Sequence, residues 1–239
     1  MVRKPQRDTA RAFEWKATIL FRDEERAGSA GRRDQDRCVR LDLPDGYFDL
    51  PAGKLANVVT CLQMLHRPPT RAGRVPDDGT TIVRVERPPL PWYRELFREV
   101  GGPYLWSSRL ALDDAHLSAI VDDAGVEIWV PRFSDGGDAG LLELDFREHG
   151  QCELRFFGLV KRAIGRGIGR RLMERAIERA WARPIERFWV HTCTLDDPKA
   201  VAFYRRSGFE PYLRQIEIYD DPRLVGLLPP DVAPDVPVL

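Results

Sequence analysis

The chain has 239 residues and equal totals of basic and acidic side chains, 37 Lys and Arg against 37 Asp and Glu, so its formal net charge is zero. This balance gives no global field toward nucleic acid or an anionic membrane, and the length suits one large domain, or a smaller one with an appendage. The four cysteines form no C-x-x-C pair and no metal-ligand spacing, so we expect free thiols and no metal site. Because there is no apolar leader and no run near the roughly 18 apolar residues of a membrane span, we expect a soluble, cytoplasmic protein.

The two ends of the chain differ in composition from its middle. Residues 1–47 are dense in charges of both signs, which predicts a poorly ordered or loosely docked extension. Residues 48–79 hold one β-branched run, at 55–64, and then a Pro/Gly/Arg linker, which predicts one extra strand. Residues 221–239 are Pro-rich and predict an extended tail. The compact domain is therefore expected over residues 80–220.

The middle of the chain predicts alternating strands and helices. Hydrophobic periodicity and cap signals predict strands at 80–86, 126–133, 140–147, 152–160, 187–194 and 209–219, and helices at 91–100, 113–121, 168–181 and 198–207. Antiparallel strands thus come first and a β-α-β unit follows, which indicates an α/β arrangement.

A glycine-rich loop joins the predicted strand 152–160 to the amphipathic helix after it. Residues 165–169 read Gly-Arg-Gly-Ile-Gly. Backbone N–H groups of such a loop converge at the positive end of a helix dipole, which favours a pyrophosphate. A P-loop would end in Gly-Lys-Ser/Thr, where this chain has Gly169-Arg170-Arg171, and a dinucleotide-binding loop would read G-x-G-x-x-G. Tight packing of the turn is the alternative explanation.

A second group of residues begins at Asp197, which we predict as the N-cap of a helix with Pro198 at its first position, while Gly208 stands where a C′ glycine belongs. In order and spacing, this segment and the glycine loop resemble the two signature motifs of the GNAT superfamily of N-acetyltransferases. These motifs are the Q/R-x-x-G-x-G/A loop and the N-x-x-A-x-x-x-Y-x-x-x-G-F segment. The resemblance covers roughly residues 80–219. The chain departs from it at Ile164, in place of Gln or Arg, and at Asp197, in place of Asn.

The resemblance implies a GNAT-like mixed, mostly antiparallel sheet flanked by helices, with two parallel strands, 152–160 and 187–194, that splay apart to hold acyl-CoA. It implies that the pantetheine pairs with the first of these strands near Phe157, Gly158 and Leu159, where one N–H group would polarise the thioester carbonyl. The other cofactor-binding residues that it implies are Gly165, Arg166, Gly167, Ile168, Gly169, Arg170 and Asp197.

The resemblance also implies residues for proton transfer. Tyr204 matches the tyrosine that often protonates the departing CoA thiolate. With reference pKa values of about 10 and about 8.5, that transfer is uphill by roughly 2 kcal/mol. Glu153 lies where several family members place a glutamate base. A core position for Tyr204, and pairing of Glu153 with Arg147 or Arg155, are the alternatives. Further candidates for the base are Glu143, Asp145 and His191.

The acceptor pocket is expected around an aromatic loop. Tyr104 and Trp106, followed by Arg109, occupy the region where the family shapes this pocket, and His191 lies near the splayed end of its strand. Structural roles remain the alternatives. The implied function is transfer of an acetyl group from acetyl-CoA to a primary amine of a small molecule or peptide, by direct attack in a ternary complex. A non-catalytic acyl-CoA-binding or regulatory module, a longer acyl donor and a hydroxyl acceptor stay open, and the family often forms homodimers.

Overall fold

The computed structural model of the chain describes residues 43–69 and 78–239. Most of the predicted N-terminal extension and part of the predicted linker lie outside the described residues. Residues 45–239 form one compact unit. No helix in the described part of the chain is long and apolar enough to cross a membrane.

The predicted strands and helices between residues 80 and 220 are confirmed, with bounds that shift by up to two residues. The strands are β1 (Lys54–Met64), β2 (Thr81–Val85), β3 (Val126–Arg132), β4 (Gly140–Asp145), β5 (Gln151–Leu159), β6 (Arg187–Cys193) and β7 (Glu210–Asp220). The α-helices are α1 (Leu90–Gly101), α2 (Asp114–Val121), α3 (Ile168–Ala180) and α4 (Ala200–Arg206).

The described strands form one seven-stranded sheet in the order β2-β3-β4-β5-β6-β1-β7. Every neighbouring pair is antiparallel except β5 and β6, which are parallel. The mixed, mostly antiparallel sheet with one parallel pair confirms the expected fold class. Strand β1, which the sequence sets apart as an extra strand, lies between β6 and β7 inside this sheet.

Each face of the sheet packs on a pair of helices. Successive strand residues point to opposite faces, so Leu141 enters a core beneath α1 and α2, whereas Leu142 enters a core beneath α3 and α4. We call these the first and the second core. Phe97 of α1 is fully buried in the first core and Leu172 of α3 in the second. The candidate site lies between these two helical layers.

The prolines of the C-terminal tail predict an extended conformation, but the tail instead folds back in successive turns. Arg223 explains the difference, because its buried guanidinium pairs with Asp221 and donates hydrogen bonds to three tail carbonyls, those of Val232, Ala233 and Val236. Local polar contacts therefore fix a conformation that the sequence pattern alone leaves open.

The predicted N-cap of α4 is wrong, whereas its predicted C-terminal glycine is confirmed. Lys199, not Asp197, occupies the N-cap position and makes no side-chain capping bond, since the helix begins two residues later than expected. The Asp197 Oδ1 accepts a hydrogen bond from the Lys199 N–H at 2.8 Å. Asp197 instead opens a turn in which its carbonyl accepts from the Ala200 N–H at 2.8 Å, since Asp followed by Pro favours the first two positions of a β-turn. Gly208 follows the C-cap with a φ of +105°, a conformation that suits glycine.

Candidate active site

The candidate site starts where β5 and β6 stop pairing. Three parallel pairs join them, the last of which is Glu153 with Trp189. On the other edge of β5, Glu143 of β4 pairs with Phe156, and the next residue of β4, Leu144, pairs with Leu154. Arg155 therefore has no partner on β4 and forms a β-bulge. A bulge bends a strand and raises its twist. The remainder of β5 therefore parts from β6 just beyond Glu153, and a gap opens between the two strands.

On the edge of β5 that faces this gap, the backbone N–H groups beyond Glu153 have no pairing with β6 in the described part of the chain. The Val160 N–H bonds to the Ala139 carbonyl on the β4 side. Because successive N–H groups along a strand point to alternate edges, the N–H group of Gly158 also points to β4, whereas those of Phe157 and Leu159 point into the gap. The three residues that the sequence singles out on this strand therefore include two donors aimed at the opening.

Gly158 is required by the packing behind this edge. A Cβ at this position would lie 2.4 Å from Cγ1 of Val100 and 3.3 Å from the Trp106 ring. Helix α1 and the aromatic loop therefore press directly on the backbone of β5. Phe157, on the opposite face, stacks on Phe203 at a centroid distance of 5.5 Å.

The glycine loop lies between β5 and α3, as the sequence predicts. Gly165 and Gly167 have φ values of +84° and +80°, and Gly167 is the N-cap of α3. A Cβ on Gly165 would meet nothing within 4 Å, so space is open on that side of the loop. The first N–H groups of a helix have no partner within it, so the loop and the start of α3 offer donors to an anion.

The arginines of the loop are already engaged by carboxylates. Arg166 lies 3.2 Å from Asp78, and Arg170 lies 2.9 Å from Glu174. Burial raises the pKa of Asp78, but hydrogen bonds from Thr80 and the charge of Arg166 outweigh it, so the net shift is downward. Ile164, at the Gln/Arg position, is 53% exposed. An anion at this loop would therefore rely on backbone donors more than on side-chain charge.

Tyr204 of α4 lies in the second core, next to the gap-forming strand. Its ring packs against Phe157, Phe203 and Phe209 at centroid distances of 6.3, 5.7 and 5.9 Å. Burial raises the pKa of Tyr204 far above its usual range, and the charge of Asp196 adds to the increase. The hydroxyl therefore keeps its proton throughout the physiological pH range.

Glu153 contacts both an arginine and a histidine at the apex of the gap. Its Oε1 accepts from Arg155 Nη1 at 2.9 Å and lies 3.4 Å from His191 Nδ1. Burial pushes the pKa of Glu153 upward, but the hydrogen bond from His191 and the charge of Arg155 leave it below its ordinary value. Since their strand neighbours Leu154 and Val190 enter the second core, Glu153 and His191 face the side of the sheet opposite to Tyr204.

The aromatic loop reaches across the gap to the end of β6. The Trp106 Nε1 donates to Asp196 Oδ1 at 3.0 Å, while Oδ2 of Asp196 accepts from the Thr192 hydroxyl at 2.7 Å and the Cys193 N–H at 2.9 Å. Tyr104 lies 6.3 Å from Trp106 by ring centroids. Burial raises the pKa of Tyr104, and the neighbouring carboxylates, that of Asp197 first, raise it further. Asp196 thus links the aromatic loop, which packs on β5, to the end of β6 at the open end of the gap, which we call the mouth.

Arg109 does not join the other candidate acceptor residues. It is 5% exposed, and its Nη2 donates to Oε1 of the fully buried Glu143 at 2.5 Å. The Tyr93 hydroxyl donates to the other oxygen of Glu143 at 2.5 Å. The guanidinium lies 5.1 Å from the Phe156 ring, which in turn packs on Trp106. Arg109 thus supports the site from beneath, in a buried ion pair beside the bulge.

Sequence reasoning missed Asp196 and the bulge at Arg155. Asp196 directly precedes the Asp197 of the second motif, and a carboxylate just after a buried strand is a signal that could have identified it. The bulge has no comparable signal, because the register of β4 on β5 depends on both strands together.

A family model matches about half of the chain. The model described as the acetyltransferase (GNAT) family matches residues 89–209, which contain the aromatic loop, the glycine loop and α4. No curated protein matches the chain.

Several solved structures resemble the fold at low sequence identity. A conserved protein of unknown function from Staphylococcus epidermidis is 13% identical, with 71% of this chain and 63% of that chain covered and a TM-score of 0.48. An aminoglycoside acetyltransferase from an uncultured soil metagenomic sample is 18% identical, with 55% and 88% covered and a TM-score of 0.46. A GCN5-related N-acetyltransferase from Sphaerobacter thermophilus is 15% identical, with 69% and 52% covered and a TM-score of 0.48. At these scores the resemblance carries no argument about substrates.

The buried ion pair gives a test of stability. In Arg109→Met the carboxylate of Glu143 loses its charged partner while staying buried, so we expect the free energy of unfolding to fall by about 3 kcal/mol in urea titrations. Arg147→Met is the matched control, because Arg147 pairs with Asp145 at 2.5 Å but its side chain is 40% exposed. It should cost less than about 1 kcal/mol. Equal losses in the two variants would contradict the buried role of Arg109.

Proposed function

We propose that this chain, which belongs to the GNAT family of acetyltransferases, transfers an acetyl group from acetyl-CoA to a primary amine of a small molecule or peptide. The observation that carries the proposal is the gap between β5 and β6. Backbone donors of β5 face this gap, the glycine loop follows at the end of β5, and Tyr204 packs beside that strand. The free thiols of Cys152 and Cys193 suit the cytoplasm, where we place the reaction.

The donor substrate has a complementary groove in this proposal. Backbone N–H groups of residues 165–169 and the N-terminus of α3 would bind the pyrophosphate, flanked by Arg166 and Arg170. The gap-facing N–H groups of Phe157 and Leu159 would bind the pantetheine and polarise the thioester carbonyl. The open space at Gly165 supports this fit. Asp197 begins the turn that leads into α4, and its carboxylate lies close enough to Tyr104 of the aromatic loop to raise the pKa of that tyrosine.

The amine acceptor needs a base before it can react. A lysine-like amine with a pKa of about 10.4 is neutral in only about one molecule in a few thousand at pH 7. The pair formed by Glu153 and His191 supplies a proton acceptor at the apex of the gap. The acceptor would enter past Tyr104, Trp106 and Asp196, which border the mouth.

Tyr204 would donate its proton to the leaving sulfur from the opposite face of the sheet. As the amine nitrogen bonds to the carbonyl carbon, the carbon–sulfur bond breaks and negative charge develops on the sulfur. The raised pKa of Tyr204 makes complete transfer harder, but burial raises the pKa of a thiol in the same surroundings and offsets part of that cost. The base and the acid thus act on opposite sides of the gap.

A non-catalytic acyl-CoA-binding or regulatory role is the second candidate. Ile164 in place of a polar residue, and the engagement of Arg166 by Asp78, both weaken side-chain contacts with the pyrophosphate. Such a module would need the groove but neither proton-transfer residue.

Steady-state assays with acetyl-CoA, a panel of amines and detection of the released thiol test the proposed function. The panel should include polyamines, aminoglycosides, amino acids and peptides with free N-termini. We expect amine-dependent CoA release with at least one class. Tight binding of acetyl-CoA without release for any amine would favour the binding module.

The glycine loop can be tested with a matched pair of substitutions. Gly165→Ala and Gly136→Ala both place a side chain at positive φ, +84° and +90°, with no atom within 4 Å of the new Cβ. Each should cost roughly 1 kcal/mol of stability. Only Gly165→Ala should weaken acetyl-CoA binding, by about tenfold in calorimetry, because its strain disturbs the donors of the loop. Equal affinity in both variants would rule out this loop as the pyrophosphate site.

Tyr204→Phe tests the proton donor. Removal of the hydroxyl should lower kcat by about a hundredfold, within the usual range for general acid catalysis, while acetyl-CoA affinity stays within about twofold. Tyr212→Phe, on strand β7, is the control and should leave kcat unchanged. An unchanged kcat in Tyr204→Phe would assign this residue a packing role only.

A further inference from the structure

We propose that His191 is the base that accepts the proton of the acceptor amine, and that Glu153 is a positioning residue that orients its imidazole. This assignment rests on the proposed function, and it gives the two residues at the apex of the gap different roles. Glu153 alone is the base that the sequence resemblance implies.

His191 and Glu153 differ in their exposure to solvent. The His191 side chain is 39% exposed, whereas that of Glu153 is 13% exposed. An acceptor that approaches from solvent therefore reaches the imidazole more easily than the carboxylate. The distance of 3.4 Å from His191 Nδ1 to Glu153 Oε1 suits an ion pair or a stretched hydrogen bond, which often tightens when substrate binds.

The chemistry of the two groups also favours His191. The carboxylate of Glu153 is held by Arg155 at 2.9 Å, and its lowered pKa makes it a weak base at neutral pH. An imidazole has a reference pKa of about 6.5, close to the working pH of most enzymes. A proton on Nδ1, which faces Glu153 at 3.4 Å, would leave Nε2 as the basic nitrogen.

Groups near His191 in the described part of the chain come from strands β5, β1 and β6. Strand β5 contributes Glu153 and Arg155. On β1 the residue opposite His191 is Cys61, whose thiol contacts Gln215 of β7. On its own strand the Trp189 ring lies 6.2 Å away by centroids. Among these groups Glu153 is the anion, and its Oε1 lies 3.4 Å from Nδ1 of His191.

The proton balance closes with these residues. The acceptor ammonium first releases one proton to solvent through His191. When the neutral nitrogen bonds to the carbonyl carbon, it gives a second proton to Nε2 of His191, the carbon–sulfur bond breaks, and the sulfur takes the proton of Tyr204. His191 then returns its proton through solvent to Tyr204. The products are the amide, the CoA thiol and one proton.

Two variants divide the roles. His191→Gln should lower kcat by about a hundredfold, with little change in KM, and should abolish the acidic limb of the pH profile. Glu153→Gln should lower kcat only about tenfold and should move that limb by about half a pH unit toward acid. The shift has this sign because loss of the carboxylate makes the imidazole easier to deprotonate.

A matched control and a second readout complete the experiment. His116 on α2 contacts Asp113 at 2.7 Å, so His116→Gln removes a similar pair elsewhere and should leave kcat unchanged. NMR titration of the His191 ring should show the same acid shift in Glu153→Gln, while the His116 ring titrates as in the wild type.

Two results would overturn the assignment. If Glu153→Gln abolishes activity while His191→Gln keeps nearly all of it, Glu153 is the base itself. If the His191 titration is unchanged in Glu153→Gln while the wild type is active, the carboxylate does not position the imidazole. A wild type that acetylates no amine would instead refute the proposed function, and the base role with it.

Discussion

The pairing of β5 with β6 ends after Glu153 and Trp189, and the rest of the candidate site depends on this break. The bulge at Arg155 lies immediately beyond it, so β5 bends away while it stays bonded to β4. Two backbone donors are thereby left without a strand neighbour. An extended ligand could satisfy them as another strand would, which is why a parallel pair that opens partway suits a long pantetheine arm.

Side chains pack against β5 on both faces beside the opening. Helix α1 presses on Gly158 from the first core, and Phe157 is covered by aromatic rings of α4 in the second. Across the mouth, the hydrogen bond from Trp106 to Asp196 links the aromatic loop to the segment that follows β6. Glu153 and His191 lie on one face of the sheet and Tyr204 on the other. In the proposed reaction, the amine would therefore attack from one side while the thiolate leaves toward the other. Such pre-organisation lowers the cost of bringing reacting groups together.

Local signals in the sequence predicted the elements between residues 80 and 220, and the two motifs predicted the family. They worked because glycine at positive φ, as at Gly165 and Gly208, marks backbone geometry directly. The remaining features of the fold and site depend on tertiary contacts. For Arg109 the sequence left open a place in the acceptor pocket or a structural role, and the contact that decides between them is with the buried carboxylate of Glu143, which is distant in sequence. The inner position of β1 likewise depends on pairing with β6 and β7, which no local pattern reveals.

Residue-resolved hydrogen exchange of the β5 amides, with and without acetyl-CoA, tests the account most directly. If the gap holds the pantetheine, exchange at Phe157 and Leu159 should slow on binding. Exchange at Gly158, whose N–H already points to β4, should change little, and so provides an internal reference. Equal rates at Phe157 and Leu159 with saturating acetyl-CoA would contradict the claim that the two splayed strands form the donor site.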